Sequence, residues 1–301
     1  MAFVMRPLTV ESALADGIVP HTSTRGDSFV QLYQRIPFGE YMYTPFEKNY
    51  DTHAGTEFAR NYPMIPIVLC AVYVAAIVGG TKYMAGRERM DLRYKLAAWN
   101  ALLCVFSFAG AIRTVPDMLY RLGSDSVEST LCTSPSSSWG VGATGLWVQL
   151  FIFSKIPELV DTYFIVARKR PLIFLHPYHH VTVLLYCWHS YATEAGQALY
   201  FVAMNYSVHA IMYGYYCLMA LKIPSGIPPV LITIAQISQM VVGVAVQVAA
   251  SYKWYTGGSC HVNGANVFWG GLMYFSYFAL FTKFAVDRYL KKPEKAAKKL
   301  E

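Results

Sequence analysis

The chain has 301 residues, of which 55% are hydrophobic and only 14% charged, whereas a typical soluble domain carries about 25% charged residues. That deficit argues against an ordinary water-soluble globule and for lipid around much of the chain. The formal charge of +7 lies mainly beside apolar runs, so it reads as topological charge bias and not as a nucleic-acid surface.

Residues 1–60 are mixed, polar and aromatic, and lack the basic start and apolar stretch of a cleavable signal peptide. They read as an N-terminal tail with a short interfacial helix. Seven apolar segments follow, at 62–80, 94–115, 144–167, 172–191, 197–221, 228–251 and 266–289. Each approaches the roughly 20 apolar residues that a spanning helix needs. The expected architecture is an all-α membrane protein with a seven-helix domain over 61–290 and a basic tail over 291–301.

Lys82, Arg87, Arg89, Arg93, Lys95, Arg168, Lys169, Arg170, Lys222 and the basic C-terminal tail all fall on one side of this arrangement. The opposite loops hold only Arg113, Arg121 and Lys253. The excess of basic residues on cytosolic loops then predicts a cytosolic C-terminus and a lumenal N-terminus. Of six cysteines, Cys132 and Cys260 fall in polar loops on the lumenal side, where a disulfide is permitted, and they are expected to pair. Two free loop thiols are the alternative. Lys298 and Lys299 resemble a dilysine signal for retrieval to the endoplasmic reticulum, against the plainer reading of a solvated basic tail.

Four adjacent segments carry polar side chains where lipid would penalise them. The third contains Lys155, Glu158, Asp161 and Thr162 around Pro157, and each central charge costs about 2.5–3.5 kcal/mol on insertion scales. Lys155, Glu158 and Thr162 share a helical face, with Asp161 at its edge. A self-neutralising Lys155–Glu158 pair is the purely structural reading. The fourth segment opens with His176, His179 and His180, whose i, i+3, i+4 spacing sets three imidazoles on one face. Asn205 and His209 stack in the fifth, followed by Tyr213, while Thr233, Gln236 and Gln239 form a stripe on the sixth. Hydrogen-bonding glue between helices accounts for the glutamines alone. Stripes on four neighbours instead predict a polar chamber inside the bundle.

Two chemistries suit clustered histidines. Di-iron membrane enzymes draw ligands from several HxxHH boxes, but here His21 and His53 lie in the tail and His261 in a loop, which leaves one box plus single residues. A three-histidine zinc site stays open. The other chemistry is acyl transfer, in which a neutral imidazole takes an acyl group or acts as general base. Cys187 is a rival nucleophile, although a buried thiol is usually inert. A seven-span lipid transporter or receptor is the alternative without chemistry.

The ordered patterns KxPExxDT, HxxHH, NxxxH with MYxYY, and TxxQxxQ resemble the ELO family of very-long-chain fatty acid elongases, which are 3-ketoacyl-CoA synthases. The likeness spans about residues 60–290. It implies six helices around a closed substrate tunnel, and condensation of acyl-CoA with malonyl-CoA to 3-ketoacyl-CoA, CO2 and CoA, with no bound cofactor or metal. It implies His179 as the acyl acceptor, His209 opposite it, and His176, His180, Lys155, Glu158, Asp161 and Asn205 in supporting catalytic roles. Thr162, Tyr213, Thr233, Gln236, Gln239, Lys169 and Arg170 are the implied substrate contacts. Implied partners are the lipid bilayer and the reductase, dehydratase and enoyl reductase of an elongation cycle, with a homodimer compatible. Pro171 stands where polyunsaturated-acyl members often carry Gln. The run 172–175 and the Asn205-Tyr206 pair resemble the saturated and monounsaturated branch, while Pro177 departs from the family's usual Trp or Val.

Overall fold

A computed structural model describes residues 5–36, 39–257 and 260–290, and they are mostly helical. The long helices are α1 (Met64–Ala85), α2 (Arg93–Ser124), α3 (Gly142–Ser154), α4 (Val160–Ala167), α5 (Leu175–Ala192), α6 (Ala198–Leu221), α7 (Pro229–Tyr255) and α8 (Gly264–Ala285). Three of them, α1, α2 and α7, are long and apolar enough by themselves to cross a membrane. The others fall short of that combination of length and apolar composition.

Two expectations are corrected. The third apolar segment is not one continuous helix: α3 stops at Ser154, a 3-10 turn covers Pro157–Leu159, and α4 begins at Val160. Pro157 lacks the N–H of a helical ladder and its ring crowds the carbonyl four residues earlier, so the chain tightens there. The second segment continues well past residue 115, as α2 has 32 residues and runs to Ser124. At 1.5 Å per residue that is about 48 Å, more than the ~30 Å hydrocarbon core. Arg113 and Arg121, expected in a loop, are therefore helical. Arg121 meets Asp117 one turn earlier at 3.3 Å, and Arg113 meets Glu47 at 2.8 Å.

Round the bundle, α2 packs most extensively on α6, α6 on α7, α7 on α8, α8 on α5, α5 on α3, and α3 back on α2, while α1 lies against α4 and α5. The α2–α6 contact is close because Gly110 has no side chain. A Cβ there would stand 2.3 Å from the ring of Tyr206, which is held by its hydroxyl donating to Trp147 O at 2.8 Å.

The N-terminal segment is folded onto one end of the bundle. His21–Thr22 pairs antiparallel with Ser28–Phe29, Leu8, Ala13, Val30 and Leu32 cluster with Tyr120 of α2, and helix His53–Asn61 packs on α5. Trp188 Nε1 donates to Ala59 O at 2.9 Å. Glu47 carries most of the polar docking, since it accepts from Arg113 and also from Trp147 Nε1 at 3.0 Å. At the same end the Cys132–Cys260 disulfide joins the last residue of a short helix, Val127–Cys132, to the loop before α8. His261 N–H donates to Cys132 O at 2.9 Å, and Trp139 Nε1 to Gly196 O at 3.1 Å. Gly196 lies so close that a Cβ would stand 2.6 Å from Leu131 O. Lys298 and Lys299 lie outside the described residues.

Gly110→Ala is expected to cost about 1–3 kcal/mol through overpacking against Tyr206, read as a lower melting temperature in detergent. Burial pushes the Glu47 carboxyl up, but hydrogen bonds from Arg113, Thr44 and Trp147 outweigh it and hold the group down from 4.5 to about 2. A depressed carboxyl stabilises the fold fully above its unfolded value and loses that contribution as pH falls through the folded one. Glu47→Gln is therefore expected to lower neutral-pH stability by about 1.5–3 kcal/mol and to flatten the pH dependence of melting between about 4.5 and about 2.

Candidate active site

Polar side chains of α2, α4, α5, α6 and α7, with Glu158 of the turn before α4, line a cavity of about 910 Å³. Its wall includes His176, His179, His180, His209, Asn205, Glu158, Asp161, Tyr213, Gln236 and Gln239. A narrower hollow of about 50 Å³ continues from it, and His179, Asn205, Gln239 and Met240 line both. His176, His179 and His180 lie in the opening turns of α5. The rings of His176 and His180 are 4.5 Å apart, and those of His179 and His180 5.5 Å.

A buried chain of hydrogen bonds crosses from α3 to α6. Lys155 Nζ, 2% exposed, donates to Glu158 Oε1 at 2.7 Å and to Asn205 Oδ1 at 3.4 Å, and lies 4.0 Å from the centre of the Phe151 ring. With the ammonium on its carbonyl oxygen, the Asn205 amide turns its NH2 to His209, donating to Nε2 at 3.2 Å. His209 then carries its proton on Nδ1. Ser154 Oγ donates to Glu158 Oε1 at 2.9 Å, while Glu158 Oε2 and His180 Nδ1 have no hydrogen-bond partner among the described residues. Lys155 and Glu158 thus form a close pair, but one that also orients Asn205.

A second chain fixes the other side. His176 Nε2 hydrogen-bonds Thr162 Oγ1 at 2.9 Å, and Thr162 in turn Tyr73 OH at 2.6 Å. Asp161 accepts from Trp99 Nε1 at 2.6 Å and from Tyr213 OH at 2.7 Å, and the Tyr213 ring stands edge-on to His209 with centroids 5.3 Å apart. His179 differs from its neighbours. Among the described residues its ring meets Tyr277 and His180 only through ring contacts, at 5.1 and 5.5 Å. Its backbone carbonyl accepts from Tyr277 OH at 3.1 Å. No three His, Cys, Asp or Glu side chains among the described residues converge closely enough to hold a metal ion.

Three expected substrate contacts are placed elsewhere. Lys169 Nζ donates to the carbonyls of Ala85 and Arg87 at the end of α1 and is not part of the wall. Thr233 faces Tyr289 at 3.2 Å and Pro229 O at 3.4 Å. Thr162 acts on His176 from behind the wall. Cys187 lines only the inner hollow. Arg170 does line the mouth, and with it stand Arg89, Arg93, Arg168 and Lys222, which the sequence marked only as loop charges. Arg93 also donates to the carbonyls of Ala220 and Leu221, closing the end of α6. Trp99 and Tyr73 carried no pattern that sequence spacing could detect.

Comparisons with known proteins place the chain by sequence. Residues 58–297 match the GNS1/SUR4 (ELO) family model. The chain is 40% identical over 255 residues to very long chain fatty acid elongase 6 of Gallus gallus, covering 84% of this chain and 95% of that protein. It is 43% identical over 224 residues to the Drosophila melanogaster protein of the same name, covering 73% and 71%. For the Homo sapiens protein the figures are 38% over 254 residues, covering 84% and 95%.

Removing one partner of a buried ion pair leaves the other charge without compensation, at about 3–5 kcal/mol. Lys155→Met is therefore expected to destabilise the purified protein by that order in thermal unfolding, and Lys155→Met with Glu158→Gln to recover much of the loss.

Proposed function

The chain belongs to the GNS1/SUR4 family, and on that premise we propose that it condenses a long-chain fatty acyl-CoA with malonyl-CoA to give 3-ketoacyl-CoA, CO2 and CoA. The observation that carries the chemistry is the position of His179. It alone of the histidines borders both the wide cavity and the narrow hollow, and its ring is not committed to a side-chain hydrogen bond among the described residues. The two cavities together supply a mouth for a large polar group and an apolar sleeve for a chain. Burial of that chain is worth about 0.8 kcal/mol per CH2.

In this reading an unprotonated nitrogen of His179 attacks the thioester carbonyl, and the electron pair of the broken C–S bond leaves with CoA thiolate, which takes up a proton. The acyl group is then held on the imidazole. Malonyl-CoA enters and its C–CO2 bond breaks, releasing CO2 and leaving an enolate. That carbon attacks the acyl carbonyl, forms the new C–C bond and frees His179. His209 Nδ1–H, directed by Asn205 and Lys155, is a fixed donor for the developing oxyanion. His176 is held by Thr162, and Asp161 fixes Tyr213 against His209.

Arg89, Arg93, Arg168, Arg170 and Lys222 gather at the mouth, where guanidinium groups suit the phosphates of CoA. The same bases favour a cytosolic mouth under the positive-inside rule. In this reading α3 and α4 together make one of seven spans, six of the seven surround a tunnel, the N-terminus is lumenal, and Lys298 and Lys299 serve retrieval to the endoplasmic reticulum. The 3-ketoacyl product calls for reduction, dehydration and a second reduction by partner enzymes before another round.

Purified protein in lipid, given labelled malonyl-CoA and palmitoyl-CoA, is expected to place label in a 3-keto product two carbons longer. His179→Ala is expected to lower that incorporation at least about a hundredfold. Normal turnover by His179→Ala removes the nucleophile assignment, and no incorporation by the unaltered protein with any acyl-CoA favours a transporter or receptor.

A further inference from the structure

The lining of the narrow hollow is not wholly apolar, and we take its polar stretch as the inner end. Tyr186, Ser190, Gln197 and Asn266 line it, with Gln247 immediately behind. Gln197 and Asn266 are wholly buried and Gln247 is 2% exposed. Asn266 Nδ2 donates to Ser190 Oγ at 2.7 Å, and its Oδ1 accepts from Gln197 Nε2 at 3.1 Å and from Tyr186 OH at 3.2 Å. Gln247 Nε2 donates to Tyr186 OH at 2.8 Å. Each amide NH2 in this network therefore has a partner, and the tyrosine hydroxyl spends its proton on Asn266. What remains are two buried acceptors without a donor among the described residues, Gln197 Oε1 and Gln247 Oε1.

We infer that this end is a hydroxyl-binding subsite, which takes an acyl-CoA whose terminal carbon carries an OH group that donates to Gln197 Oε1. The inference rests on the elongase reading. A buried acceptor left unmade costs free energy, and a neutral donor removes the cost. An ω-carboxylate brings a charge and no proton, and an ω-ammonium brings a charge into a neutral, buried pocket, so both are disfavoured. A terminal methyl group leaves Gln197 Oε1 unpaired. Val183, Phe201, Val202 and Met273 also line the hollow and suit polymethylene. The end itself cannot retreat, because Gly196, next to Gln197, is pressed against the backbone of Leu131 and His261.

The test uses the full protein in lipid with labelled malonyl-CoA and acyl-CoAs of graded length, each length supplied as a competing pair of terminal-methyl and terminal-hydroxyl forms. The ratio of the two products within one reaction does not depend on how much protein is folded. The unaltered protein is expected to elongate the hydroxyl form at least as well as the methyl form at the length that reaches Gln197. Gln197→Leu is expected to move that ratio about tenfold toward the methyl form. Gln197→Met, closer in shape, gives the same reading if the leucine variant does not fold. Methyl chains elongated normally, with hydroxyl chains refused at every length or a ratio that does not move toward the methyl form in either variant, overturn the subsite and leave Gln197 Oε1 to water. Failure to elongate any acyl-CoA overturns instead the elongase reading on which it rests.

Discussion

A lysine ammonium held at 2% exposure inside a helical bundle constrains everything around it. At that exposure bulk solvent does not reach Lys155, so the protein supplies its partners from two helical elements and an aromatic face: Glu158 in the turn after α3, Asn205 on α6, and the ring of Phe151. Glu158 meets that charge from the turn at Pro157–Leu159, where the missing N–H of Pro157 tightens the chain. Asn205 meets it from α6, and that contact orients the Asn205 amide so that His209 receives a donor. One electrostatic obligation therefore links two helical elements and the protonated nitrogen of a site histidine.

The cavity is polarised along its length. The wide cavity carries Arg89, Arg93, Arg168, Arg170 and Lys222 together with the histidines and carboxylates, whereas the narrow hollow has no Asp, Glu, Lys or Arg in its lining. Charge thus falls from the wide cavity to the hollow, as the cost of desolvation demands. A ligand with a polyanionic head and a long apolar body fits that gradient in one direction only. The mouth residues also serve the fold, since Arg93 closes α6 and Lys169 closes α1 by donating to otherwise unpaired carbonyls.

The opposite end is built as a cover. Glu47 draws the N-terminal segment onto α2 and α3 through Arg113 and Trp147, and the Cys132–Cys260 disulfide ties a short helix to the loop before α8 over the start of α6. Gly196 admits the backbone contact that seals them. This end is held by many fixed contacts, whereas the mouth is lined by long charged side chains, so the two ends have different tolerances for a ligand.

By itself the sequence determined the helical class, the inward stripes and the histidine cluster. Apolar runs of spanning length and spacings of three and four residues depend only on local geometry, so His176, His179, His180, Asn205 and His209 are legible from residue spacing alone. Arg113 and Arg121 read as loop residues because their partners, Glu47 from the N-terminal segment and Asp117 a turn away, make a charged helix end stable only once that segment docks. Thr233 and Lys169 look like substrate contacts by position in a stripe or a loop, yet each is taken up by a nearby backbone carbonyl. Trp99 and Tyr73 are invisible to spacing, since a single aromatic in an apolar helix has no period to mark it. Which histidine borders both cavities, and which buried amide oxygens lack a donor, only the tertiary structure decided, because both depend on what distant helices place opposite each side chain.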